Sequence, residues 1–147
     1  MNIQAYVSRL QSKFKAAENP GKAGSMKAYM KNHFDFLGIS SPERKTLLSE
    51  FLKDYGLPEY EELEETVTIL WGLPYREYQY CTMEIINKRK RLLQPDFIQP
   101  LEMMILTKSW WDTMDFLAAN IAGHYFKLNS DFVPEEPMNG LTIQICG

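Results

Sequence analysis

The breaks in this chain constrain it more than the runs between them. Apolar residues return at helical spacing from the start, where Ile3, Tyr6, Val7, Leu10 and Phe14 form one stripe opposite polar residues. Asn19, Pro20 and Gly21 end that helix, and a second, containing Met26, Tyr29 and Met30, is expected to run to about His33. After a loop from Phe34 to Ser40, a capping box of Ser40 and Glu43 with Pro42 in the first turn opens a third helix. Its stripe is Leu47, Leu48, Phe51, Leu52 and Tyr55, and Gly56 and Pro58 end it.

A fourth helix follows over Glu59 to Trp71, with acids in its first turn where the helix dipole favours negative charge. Gly72, Leu73 and Pro74 stop it. A fifth spans Tyr75 to Leu92, with Tyr78, Cys81, Ile85 and Ile86 on one side. Pro95 precedes a sixth, through Phe97, Leu101, Met104 and Ile105, and a seventh runs from Ser109 to about Lys127. Connections of so few residues cannot carry the chain to the far end of a helix, so sequential helices pack antiparallel. Helical hairpins then begin near residues 3, 41 and 75, a spacing in the range of HEAT and armadillo repeats. The expectation is an all-α, HEAT-repeat-like solenoid of about seven helices over residues 1–129, followed by an atypical tail, 130–147. An irregular helical bundle is the alternative.

Composition narrows the class. At 147 residues, 45% of them apolar and 24% charged, the chain is of ordinary globular make-up and about one domain long. No stretch approaches the roughly 18 apolar residues of a membrane span, and the opening residues read as an amphipathic helix rather than a secretory leader, which implies a cytoplasmic protein. Cys81 and Cys146 are too few and too far apart for a disulfide framework or a zinc site, and His33 and His124 lack neighbours of ligand type, so no metal is expected.

The net charge of −3 hides a segregated pattern. Residues 1–34 carry Arg9, Lys13, Lys15, Lys22, Lys27 and Lys31 against Glu18 alone. Residues 53–65 carry Asp54, Glu59, Glu61, Glu62, Glu64 and Glu65 against Lys53, and Lys88 to Arg91 form a basic run. Basic segments of this kind attract phosphate, and equally they serve as solvated helix faces.

The segment Thr107 to Asp115, TKSWWDTMD, opens the seventh helix. With Ser109 as N-cap, Asp112 falls at the third helical position, where its carboxylate can satisfy a free N–H. Trp111 and Asp115 are four residues apart and share a face, so an aromatic plane and a carboxylate border one surface. Trp110 points about a quarter turn away, toward core packing. On residue types alone, tryptophans on helices usually serve cores and an acid in the second turn is usually solvated.

The text MKAYMKNHFDFLGISSPERK, from Met26 to Lys45, taken with LWGLPYREYQYCTMEI and TKSWWDTMD, resembles the AlkD family of bacterial DNA alkylation repair glycosylases. The similarity is colinear from the first helix to about Asn129. It implies a HEAT-like fold whose basic concave groove holds duplex DNA and which releases cationic N3- and N7-alkylated purines without a cofactor. By position it makes Asp115 the essential carboxylate, Trp111 the aromatic beside the lesion's deoxyribose, and Tyr29 a further aromatic of the cleft. Ser41, Arg44 and Lys45 would approach the DNA backbone, and Lys108 a phosphate.

Family members continue through further helical repeats. The sequence after Asn129, SDFVPEEPMNGLTIQICG, instead alternates Leu141, Ile143 and Ile145 like a short strand. The reading is therefore a shortened repair glycosylase of reduced activity, with self-association through its last repeat if no other segment covers it. Two alternatives differ in class: a DNA-binding module without catalysis, and a helical scaffold for protein interaction.

Overall fold

The computed structural model describes residues 1–130, and every regular element among them is helical. The expected strand over Leu141 to Ile145 lies outside the described residues. The chain divides into two compact units, Met1–Thr82 and the part from Met83 onward.

The first unit holds α1 (Ile3–Ala16), α2 (Pro20–Tyr29), α3 (Ser41–Tyr55), α4 (Tyr60–Trp71) and the start of α5 (Arg76–Arg89). The stripe of α1 is buried as its spacing requires, and α1 packs against both α3 and α4. Leu10, Phe14, Phe51, Leu63, Val67, Leu70 and Trp71 fill the core between them. Tyr6 sits edge-on to Phe51 at 4.9 Å, and its hydroxyl donates to the Gly56 carbonyl at 2.8 Å, satisfying the C-cap of α3. Gln79 closes α4 in the same way, donating from Nε2 to the carbonyls of Trp71 and Leu73.

The exception is α2, which buries no residue. It also stops at Tyr29, four residues short of the expected end. The amide of Lys31 bonds the Ala28 carbonyl and the amide of Asn32 bonds the Lys27 carbonyl, with Lys31 and Asn32 both at positive φ. That is a Schellman termination, and it stops the helix before His33 can join it.

The second unit holds the end of α5, 3-10 turns at Lys90–Leu92 and Pro95–Phe97, α6 (Ile98–Leu106), α7 (Trp111–Phe116) and α8 (Gly123–Leu128). The fifth and sixth helices thus keep their expected extent only if these tighter turns are counted. The seventh helix is interrupted: a π-helical turn, Leu117–Ala122, joins α7 to α8. Leu101, Met104, Leu117, Ile121 and Tyr125 form the core of this unit. Asn129 fastens the end of α8, donating to the carbonyls of Leu93 and Tyr125, while the Tyr125 hydroxyl donates to that of Pro95 at 2.8 Å.

Candidate functional site

Tyr29, Ser41, Arg44 and Lys45 belong to the first unit, and Lys108, Trp111 and Asp115 to the second. Each group is held by a different device.

In the first unit the device is the loop 34–40. The Glu77 carboxylate, fully buried at the start of α5, accepts hydrogen bonds from three successive amides, those of Leu37, Gly38 and Ile39, at 2.9, 3.0 and 3.2 Å. A carboxylate taken from water is tolerated only when its lone pairs are met by donors, and this arrangement meets them. The other end of the loop is tied by the Arg76 amide, which donates to the Asp35 carbonyl at 2.9 Å, and by the Arg76 guanidinium, stacked 3.6 Å from the centre of the Phe34 ring.

Through this loop α2 is located although it lacks a packed face. The Asn19 amide donates to the Leu37 carbonyl at 2.8 Å, Asn19 Oδ1 caps the Lys22 amide, and Lys27 pairs with Asp35 at 2.8 Å. Gly38, at φ +94°, lets the loop and the start of α2 touch: a Cβ there would lie 1.9 Å from the Asn19 carbonyl oxygen. Tyr29, at the end of α2, is 73% exposed.

Ser40 caps α3 through the Glu43 amide, as expected, and Ser41 and Lys45 are exposed on its first turns. Arg44 is half-buried, its guanidinium 4.7 Å from the centre of the Tyr80 ring. Beyond these, a cleft of about 410 Å³ opens between the α1 residues Ser8, Ser12 and Lys15 and the tyrosines Tyr75 and Tyr78. It contains none of the residues nominated from sequence. Burial raises the Tyr78 phenol well above its ordinary value.

In the second unit the device is a helix start. Trp110, not Ser109, is the N-cap of α7. Lys108 at φ +52° turns the chain before it, and the Trp110 amide is received by the Thr113 hydroxyl at 3.3 Å, while Asp112 accepts the Thr113 amide at 2.8 Å. Asp112 so performs its expected duty one helical position earlier than Ser109 capping would put it. Trp110 is half-buried, and Thr113 is the residue of α7 that is fully enclosed.

Trp111 is 51% exposed and Asp115, one turn on, is exposed as well. Among the described residues nothing bonds or pairs with the Asp115 carboxylate. The π-turn begins two residues later, and Asn120 Nδ2 donates to the Phe116 carbonyl at 3.2 Å. π-Turns interrupt the ordinary hydrogen-bond register and recur at functional sites.

Sequence reasoning missed Glu77, Gly38 and the π-turn. A signal existed for Glu77: it lies four residues before buried Cys81, on the apolar side of α5, where an acid has no place unless donors surround it. No three acids, histidines or cysteines among the described residues stand close enough to hold a metal ion, and no described helix is long and apolar enough to cross a membrane.

The family model for DNA alkylation repair enzymes matches residues 10–136. A solved structure from Enterococcus faecalis, described as a predicted DNA alkylation repair enzyme, superposes with a TM-score of 0.68 at 25% sequence identity. That match covers 87% of this chain but only 63% of the other, so this chain spans less than two thirds of its structural relative. Among curated proteins no match is found.

Proposed function

Since the chain belongs to the DNA alkylation repair enzyme family, we propose that it acts on alkylated duplex DNA as a glycosylase of the AlkD type, releasing purines made cationic by an alkyl group at N3 or N7. The observation that carries this reading is the pair on α7: a half-exposed indole and, one turn away on the same face, an exposed carboxylate that no described residue engages.

The chemistry suits one carboxylate. An N7- or N3-alkylated purine departs with the electron pair of its bond to the sugar C1′ and leaves as a neutral base, so a general acid contributes little. Positive charge then moves onto the deoxyribose. A fixed anion at Asp115 stabilises that oxocarbenium-like centre, and water completes the reaction by forming the C1′–O bond and releasing a proton, which Asp115 or solvent takes up. Trp111 contributes the attraction of its ring face for the developing cation. Tyr29 is assigned to the cleft that receives the damaged duplex, and Ser41, Arg44, Lys45 and Lys108 to its backbone and phosphates, which set affinity and make it salt-dependent.

Release of 7-methylguanine from methylated DNA tests the reading. Parent protein should liberate the base, and Asp115→Asn should reduce the rate by at least about a hundredfold, the scale of one transition-state electrostatic contact. Equal rates for the two would remove Asp115 from the mechanism.

The second reading is a DNA-binding module without catalysis. It predicts salt-sensitive duplex binding with no base released by the parent protein.

A further inference from the structure

Of the six basic residues in positions 1–34, most are committed within the fold. Lys13 pairs with Glu50, Lys15 with Glu18 and Lys27 with Asp35, and Arg9 lies over the Tyr55 ring. Lys31 is different. It is exposed, and among the described residues its side chain makes no ion pair, hydrogen bond or ring contact.

Its backbone makes that isolation costly. Lys31 stands at φ +57°, at the position after the C-cap of α2 that glycine or asparagine normally takes, because a Cβ crowds the backbone there. The next residue, Asn32 at φ +61°, is of a type that tolerates this conformation. A lysine gains nothing from the turn and, from the contacts described, nothing from the fold. Strain of this kind marks a residue whose side chain is needed for something outside the chain. What lies nearby in sequence indicates what that is: α2 carries no acid, and Tyr29, two residues earlier, is the most exposed large aromatic of the described chain.

We infer that Lys31 is a phosphate-contacting residue of the duplex-binding surface, kept at a strained helix terminus at the expense of stability. The inference rests on the reading of the chain as a duplex-binding protein and adds a residue that the family resemblance does not assign.

The experiment uses the full chain and a duplex oligonucleotide, with affinity measured over a range of salt concentrations and melting followed in parallel. Lys31→Gln, which removes the charge and keeps the strain, should weaken binding roughly three- to tenfold and lower the slope of log affinity against log salt by about one. Lys31→Gly should weaken binding as much while raising the melting temperature by roughly 2–4 °C. Lys31→Arg should bind like the parent. Lys53→Gln, an exposed charge removal on the far end of α3, serves as the comparison. Parent-like binding by Lys31→Gln, or an equal loss in Lys53→Gln, overturns the inference while leaving duplex binding in place. A Lys31→Gly protein no more stable than the parent removes its premise. A parent that binds no duplex at low salt overturns the functional reading, and this inference with it.

Discussion

Two segments that present the most exposed aromatic residues, α2 with Tyr29 and α7 with Trp111, are held by opposite means. Helix α2 has no buried residue and is fixed from outside, by a loop whose amides grip the Glu77 carboxylate. The stretch that starts with α7 is fixed from beneath, by Thr113, Leu117, Ile121 and Tyr125 in the core of its own unit. Polar contacts through a buried charge are directional and collapse when one partner goes, whereas apolar packing degrades by increments with the volume removed. The difference teaches where each surface is fragile: α2 through a single loop, α7 through its register.

The sharpest way to break the comparison is Gly38→Ala. With a Cβ 1.9 Å from a carbonyl oxygen and a positive φ, the junction must open, at a cost of about 3–5 kcal/mol. Hydrogen exchange should show α2 amides losing protection well before those of α8. Glu77→Gln comes next, at about 2–3 kcal/mol, because the amide presents donors where three N–H groups need acceptors. Chemical denaturation measures it, and duplex binding that is lost together with α2 protection would tie the loop to function. Asn120→Ala should cost only about 1 kcal/mol, by removing the side-chain donor to the Phe116 carbonyl, yet should lower base release more than stability if the π-turn positions Asp115.

The smallest effect is a pH dependence shared by both units. Burial raises the phenols of Tyr78 and Tyr125 above their ordinary value of 10.0, so each folded phenol keeps its proton where the unfolded one loses it. Their contribution is fully present below about pH 10 and falls as pH rises above it. Tyr78→Phe should flatten part of that alkaline decline in the first unit, and Tyr125→Phe part of it in the second, as thermal melts between neutral and alkaline pH would register.

Helices were readable because their evidence is local. The stripe from Ile3 to Phe14, the Ser40 cap and the stop at Gly56 each depend on residues within a turn or two, and the structure matches them. The end of α2 differs from the expectation because nothing in Met30 to His33 forbids helix, while the chain closes there in a Schellman turn with Lys31 and Asn32 at positive φ. The cap at Trp110 escaped for a similar reason, since Thr113 supplies the acceptor from inside the helix and makes Ser109 unnecessary. Glu77 reaches a loop about 40 residues away, and no periodicity encodes a contact of that range. As for the site, Trp111 and Asp115 share a face by arithmetic, but their exposure is a property of packing and had to be seen.

The grip on residues 37–39 has a consequence for whatever meets α2. Because an internal anion already occupies those amides, the edge they form is finished before an encounter and does not have to fold during it. Association at that edge should proceed at the speed of collision and orientation, with a heat-capacity change that reflects only the surfaces covered, as calorimetry at several temperatures would reveal.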